Sequence, residues 1–481
     1  MDIIAQIDGW ADRCPDQVAH VSGQRSLTYL ELRRQSDSLA AYLADEVPGN
    51  EPIAVLGHRE PEMLVAFLGC VKAGHPYIPL DNALPPQRME RMLSAASFTL
   101  TPERIADIAS TVRPAPDISL GKDAPWYIIF TSGSTGDPKG VVITRGCLET
   151  FVQWMLEEQS FHEQAETFIN QAPFSFDLSV MDLYCALCTG STLFSLGRDV
   201  VVNPVKLFQA LAASNATVSV STPSFARLCL GEPTFRSAML PRVRKFLFCG
   251  ETLPPSVASQ LLDRFPDAEV WNTYGPTEAT VAMTSVRLDR DLLARYSALP
   301  VGAPMPGVTV SLIDDVLLPV ASGDHGEIVI AGPNVTPGYL NAPDRNATAF
   351  LTLDGRRGYR TGDYGYFRDG YLFCDGRKDG QIKMFGYRIE LGDIEANLRG
   401  VPGVQDAVVL PVLKDGAAQS LTAFVAGASD EPAGQRTPRL RAALLQRLPT
   451  YMLPRKFVYI DELPLTPNGK VDRRQLAATL V

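Results

Sequence analysis

Short runs of β-branched and aromatic residues alternate with stretches of helical period through most of the chain. Trp126-Tyr127-Ile128-Ile129-Phe130 is apolar at every position, as a strand covered on both faces must be. Val141-Val142-Ile143, Thr217 to Ser221, Phe246 to Cys249 and Val270 to Thr273 continue the series, and helical patterns follow several of them, for example over 255–265. This alternation predicts an α/β fold with covered sheets. The C-terminal part reads as a separate, small α+β unit: a helix over 391–399, strands over 407–413 and 421–425, and a helix over 440–447. The charged, glycine-punctuated stretch Asp375-Gly376-Arg377-Lys378-Asp379-Gly380 is the expected joint. The predicted organisation is therefore a large core over 1–378 and a small domain over 379–481.

Composition narrows this only a little. With 481 residues, 46% hydrophobic and 20% charged, the chain can bury a sizeable core, and its net charge of −10 argues against nucleic acid or an anionic membrane surface as partner. The N-terminal residues have neither a basic segment nor a long apolar run, so no signal peptide or membrane insertion is expected. Eight cysteines without framework spacing fit a reduced cytoplasm. The lone CxxC of Cys185 and Cys188 has no second pair or histidine cluster beside it and reads as two helix or core cysteines.

The strongest local signal is Thr131-Ser132-Gly133-Ser134-Thr135-Gly136-Asp137-Pro138-Lys139-Gly140. Hydroxyls, glycines and one lysine can surround phosphate oxygens, with glycine permitting close backbone approach. The spacing is not that of a Walker A loop, and the segment lies between two predicted strands instead of opening a helix. Taken alone it is equally a polar hairpin.

The order of residues in this loop resembles the signature loop of the adenylate-forming superfamily, which includes acyl-CoA synthetases, luciferases and the adenylation domains of nonribosomal peptide synthetases. The resemblance continues in order: Leu27-Thr28-Tyr29-Leu30-Glu31-Leu32, then Lys72 to Asp81, Asn272-Thr273-Tyr274-Gly275-Pro276-Thr277-Glu278, Gly326 to Phe350, Tyr359-Arg360-Thr361-Gly362-Asp363, Gly376 to Glu395, Leu448 to Pro454, and Pro467-Asn468-Gly469-Lys470.

That resemblance implies an ATP site. Thr131, Ser132, Gly133, Ser134, Thr135, Gly136 and Lys139 would face the phosphates, with Asn272, Tyr274 and Gly275 around the adenine and Tyr274 stacked on it. Thr277 would contact the α-phosphate and Glu278 would hold Mg²⁺, a hard cation that prefers oxygen ligands. Asp363 would accept the ribose hydroxyls, assisted by Arg377. Lys470 would be the main catalytic cation, opposing the charge that builds on the α-phosphate; without the motif it would read as a surface lysine. Asp379 falls at the hinge about which such enzymes turn the small domain, though Gly380 stands where a larger residue is expected.

In members that activate amino acids, an aspartate at the place of Asp177 pairs with the substrate ammonium; a helix N-cap is the competing local reading. The register of the motifs makes Leu178, Met181, Leu247, Cys249, Thr273, Val281 and Ala282 the remaining pocket wall. None is charged and four are bulky or branched, which implies a small neutral side chain, alanine best of all. The stretches Asn170 to Tyr184, Ser221 to Phe225 and Phe246 to Glu251 closely resemble the D-alanine–carrier-protein ligases of teichoic acid D-alanylation, in which the cysteine before Gly-Glu bears on D versus L preference. Free-standing L-prolyl and L-alanyl ligases of natural-product pathways share much of the pattern. An acyl-CoA synthetase would not need Asp177, and a catalytically silent nucleotide-binding protein would not need Glu278, Asp363 and Lys470 together. No phosphopantetheine attachment segment follows Lys470, so the expected acceptor is a separate carrier protein.

Overall fold

The computed structural model describes residues 1–133, 137–161, 166–321, 323–377, 380–414, 417–427, 432–464 and 471–480. Ser134, Thr135, Gly136, Asp379 and Lys470 lie outside the described residues. The chain forms two compact units. The first comprises 1–82, 95–129 and 140–376, and the second 83–94, 130–139 and 377–481.

In the first unit, a nine-stranded sheet holds the strands Glu269–Tyr274, Lys245–Phe248, Val218–Ser221 and Thr167–Asn170 side by side, mutually parallel. All four end on the same edge, and the carboxyl ends of parallel strands are where open α/β sheets bind ligands. A six-stranded sheet contains Pro125–Thr131 and Lys139–Thr144. A five-stranded sheet is built on Gly326–Ala331 and Arg356–Arg368. The strands expected around Trp126, Val141, Val218, Phe246 and Val270 are all present, as is a helix over Pro255–Arg264.

Two of the recurring sequence motifs serve the fold. Thr28 and Glu31 form a reciprocal capping box at the start of the helix Tyr29–Glu46, and the Tyr29 phenol donates to the Ser191 carbonyl at 2.8 Å in the core. Lys72 is buried with its ammonium shared between Asp8 at 2.8 Å and Asp37 at 2.6 Å. Cys185 and Cys188 are buried in the helix Leu178–Cys188, and burial pushes both thiols up, toward the inert protonated form.

The second unit contains the hairpin Gln381–Met384 and Tyr387–Glu390, a three-stranded sheet of Asp406–Lys414, Ala417–Ala426 and Lys456–Ile460, and the helix Leu391–Arg399. The helix expected to open at Leu440 opens instead at Ala433 and runs to Leu445. Pro438 lies inside it, and its missing N–H and its ring argue against helix in a sequence reading. Two short segments from earlier in the chain also belong to this unit. The helix Pro86–Leu93 places Arg88 3.0 Å from Asp393, a pair almost completely buried, and Ser132 bonds to the strand Tyr387–Glu390. Neither could be anticipated, because the partners are separated by 305 and 256 residues. No helix among the described residues is long and apolar enough to cross a membrane.

Candidate active site

The site in the first unit is built on the turn that follows the strand Glu269–Tyr274. Parallel register sets Phe248 opposite Asn272, so Cys249 and Thr273 follow at the carboxyl ends of neighbouring strands. The Thr273 hydroxyl donates to the Phe248 carbonyl at 2.9 Å and locks these two ends together. Asn272 donates its amide to the Pro300 carbonyl at 2.8 Å. Gly275 has to be glycine: a Cβ there would stand 2.6 Å from the Cα of Ala282 and 2.9 Å from the Val281 carbonyl oxygen. The chain therefore folds back on itself, and the Met283 N–H donates to the Tyr274 carbonyl at 2.8 Å.

The return of this turn is strained. Thr280 and Val281 have φ of 56° and 69°, and the Ala282 N–H closes onto the Thr280 carbonyl at 2.9 Å around Val281. A β-branched residue there costs ~1–3 kcal/mol and persists only where its surroundings impose it. Asn334 supplies part of that constraint: it donates to the Ala279 carbonyl at 2.8 Å, and its own carbonyl accepts the Thr280 hydroxyl at 2.8 Å. The thiol of Cys249 donates to the Val281 carbonyl at 3.6 Å. Leu178, Met181, Leu247, Cys249, Thr273, Val281 and Ala282, the expected wall, are all buried.

Expected site residues meet in two pairs, and a third, Glu278, meets a partner that the sequence did not single out. The Tyr274 phenol donates to Asp363 Oδ2 at 2.7 Å. Burial first, and then the charge of Asp363, hold this phenol far above its ordinary pKa of 10.0, so it remains a donor. Glu278 is completely buried and accepts the Tyr339 phenol on Oε1 at 2.6 Å. Thr277 donates its hydroxyl to Asp177 Oδ2 at 2.5 Å. Asp177 sits at the N-cap position of the helix Leu178–Cys188 but makes no side-chain cap hydrogen bond. Its carboxylate is turned toward Thr277, so the cap reading is not the one the geometry follows.

The loop that carries Asp177 rests on a buried polar chain. Asn170 donates its amide to the Ala172 carbonyl at 3.0 Å and to both oxygens of Asp182, at 3.3 and 3.1 Å. Its carbonyl accepts Ser195, which bonds to His20 at 2.9 Å. Arg59 donates to the Gln171 carbonyl. Burial drives Asp182 up and His20 down to about 3, so both favour their neutral forms here. Nearby, burial raises the Tyr127 phenol, with the charge of Asp177 the next cause, and its hydroxyl has no hydrogen-bond partner among the described residues.

Of the expected phosphate-loop residues, Thr131, Ser132, Gly133 and Lys139 are described in the second unit. The Thr131 Oγ1 is buried without a hydrogen-bond partner among the described residues. Ser132 donates to the Arg388 carbonyl at 2.7 Å and accepts the Glu390 N–H at 3.1 Å. Arg377 closes the strand Tyr371–Arg377. Tyr339, Asn334, Asn170, Asp182 and Arg59 were given no role in the sequence reading. Tyr339 and Asn334 lie within the stretch Gly326 to Phe350, and Asn170 and Asp182 within Asn170 to Tyr184.

Residues 7–112 and 98–340 match the AMP-binding enzyme family, and residues 393–470 match the AMP-binding enzyme C-terminal domain. This chain belongs to the AMP-binding enzymes. It is 45% identical to the D-alanine--D-alanyl carrier protein ligase of Bacillus thuringiensis (strain Al Hakam), with 99% of each chain covered, and 44% identical to the ligase of the same name from Bacillus cytotoxicus, again with 99% of each covered. Among solved structures, it resembles an NRPS protein containing adenylation and PCP domains at a TM-score of 0.83 and 27% identity, covering 99% of this chain and 84% of that one. The Vibrio cholerae adenylation domain AlmE, solved with glycyl-adenosine-5'-phosphate, shares the fold at a TM-score of 0.87 and 23% identity, with 100% and 97% covered.

Proposed function

We propose that this enzyme activates D-alanine with ATP and transfers it to the phosphopantetheine thiol of a separate carrier protein. The observation that carries the reading is the Thr277–Asp177 hydrogen bond, which joins the residue expected at the α-phosphate to the residue expected at the substrate ammonium. An amino acid whose ammonium rests on Asp177 would have its carboxylate directed toward Thr277. One carboxylate oxygen attacks the α-phosphorus, the bond to pyrophosphate breaks, and aminoacyl-AMP remains. The carrier thiolate sulfur then attacks the acyl carbon and AMP departs. Proximity of the two sites supplies a large share of the acceleration.

The residues fit ATP and Mg²⁺. Thr131 offers a buried hydroxyl without a partner among the described residues, suited to a phosphate oxygen. Glu278 offers a buried carboxylate, the hard oxygen donor that Mg²⁺ prefers. The metal supplies charge neutralisation on the phosphate oxygens. Asp363 accepts ribose hydroxyls beside the Tyr274 platform, assisted by Arg377, and Lys470 opposes the charge developing on the α-phosphate. Residues 379–481 act as the mobile domain that turns about Asp379, and the enzyme works in the cytoplasm.

The choice of D-alanine is supported by the full-length relatives named D-alanine--D-alanyl carrier protein ligase and by the buried, uncharged wall around Cys249. Once the ammonium and carboxylate are pinned, enantiomers differ only in where methyl and hydrogen point. Sulfur at Cys249 crowds one of those positions. The test is amino-acid-dependent ATP–pyrophosphate exchange with both alanine enantiomers, proline, glycine and serine. D-alanine is expected to give the highest kcat/KM, by ~10–200-fold over L-alanine, because one methyl is worth ~1–3 kcal/mol. Cys249→Ala is expected to narrow that ratio. A native preference for L-alanine or L-proline would overturn the assignment, whereas an unchanged ratio in the variant would remove only the role of Cys249.

A further inference from the structure

Glu278 is bound twice to one short stretch of chain. Its Oε1 accepts the Tyr339 phenol at 2.6 Å, and its main-chain carbonyl accepts the Thr336 N–H at 2.9 Å. That stretch is itself fixed. Thr336 donates its hydroxyl to the Val142 carbonyl, and the strand Gly338–Tyr339 pairs with Val142 and Val141. Asn346 brackets Tyr339, accepting its N–H at 2.7 Å and donating to its carbonyl at 3.0 Å. Gly338, at φ 139°, permits this, since a Cβ would meet Asn346 Oδ1 at 2.6 Å. The Tyr339 ring packs edge-on against Phe350, with centroids 5.5 Å apart, and the Tyr359 hydroxyl lies 3.4 Å from its own.

A tyrosine kept only for packing would need none of this precision at its hydroxyl. We propose that Tyr339 is a positioning residue: its phenol, by holding Glu278 Oε1, sets the direction in which the buried carboxylate faces and so sets the affinity of the site for Mg²⁺. This rests on the reading of Glu278 as the metal-holding carboxylate. A short bond to a carboxylate restricts its rotation, and an oriented ligand binds a metal better than a free one, the same logic by which outer-shell hydrogen bonds tune metal sites generally.

The test is direct binding of Mn²⁺, read by electron paramagnetic resonance, to the full-length enzyme saturated with a non-hydrolysable ATP analogue. It is accompanied by the Mg²⁺ dependence of pyrophosphate exchange. Tyr339→Phe, which keeps the ring and its contact with Phe350, is expected to weaken the metal by about 3- to 10-fold, the worth of one such hydrogen bond. The amino-acid KM should be unchanged, and excess Mg²⁺ should restore the exchange rate. Native metal affinity in Tyr339→Phe would overturn the proposal. So would an equal loss in Tyr359→Phe, which would assign the effect to the aromatic cluster and not to the bond. Glu278→Gln separates the two readings: if it too binds Mn²⁺ with native affinity, the assignment of Glu278 itself has failed.

Discussion

The two ends of the proposed active site hold their carboxylates by different means. At the nucleotide end, Asp363 and Glu278 each accept a phenol, from Tyr274 at 2.7 Å and from Tyr339 at 2.6 Å. At the amino-acid end, Asp177 accepts a hydroxyl from Thr277, a residue itself expected to touch the reacting phosphate. A buried phenol on a stiff ring is a fixed support, and an acceptor for ribose or a ligand for a metal benefits from having one orientation. Asp177 is instead held by Thr277, a residue proposed for the other substrate's site. On the proposed roles, support and recognition are therefore separate functions at the nucleotide end and share a residue at the amino-acid end.

The largest test of this contrast is Asp177→Ala. Removing the only carboxylate assigned to a buried ammonium costs ~3–5 kcal/mol, so the amino-acid KM should rise by about two to four orders of magnitude while the ATP KM moves little. An unchanged amino-acid dependence in pyrophosphate exchange would place the ammonium elsewhere. Asp363→Ala should act at the opposite end. Loss of a charged acceptor costs ~1.5–3 kcal/mol, which raises the ATP KM by about 10- to 150-fold and leaves the amino-acid KM near its native value. A rise in both constants together would erase the distinction between the two ends.

Tyr274→Phe keeps the ring proposed to stack on the adenine and removes the phenol that supports Asp363. The expected rise in ATP KM is smaller, about 3- to 10-fold. The smallest expected effect is a flat response to alkali. Burial and the charge of Asp363 both raise the Tyr274 pKa above 10.0, so the donor form persists as pH rises. Between about pH 8 and pH 10 the ratio of ATP KM in Tyr274→Phe to that in the native enzyme should stay constant. A ratio that falls toward one would show the phenol ionising within that range.

What the sequence disclosed follows the same division. Tyr274, Thr277 and Glu278 are legible because they are neighbours in one motif, and Asp177 because it precedes a helix in another. The long-range pairings around them are not. Tyr339 lies 61 residues from Glu278, Asp363 lies 89 from Tyr274, and Asn334 lies 55 from Ala279, and no local period or spacing announces such pairings. Asn170 opens the stretch Asn170 to Tyr184 yet gives no sign in the sequence that it ties Ala172 to Asp182, because an asparagine at the end of a strand reads as turn chemistry. The strands themselves were readable for the opposite reason. The run Trp126 to Phe130 is uniformly apolar because parallel strands are covered on both faces, a condition such a segment meets by itself.

The left-handed return at Thr280 and Val281 carries a consequence for anyone wishing to retarget the enzyme. Its backbone is held by Gly275, Asn334 and the Thr280 hydroxyl, none of which depends on the Val281 or Ala282 side chains. A library varied at 281 and 282 should therefore exchange the face proposed to meet the substrate without rebuilding the loop beneath it, and at position 281 glycine or asparagine would also suit the left-handed backbone better than valine does. Variation at Gly275 has no such latitude: any side chain drives into Ala282 and dismantles the socket.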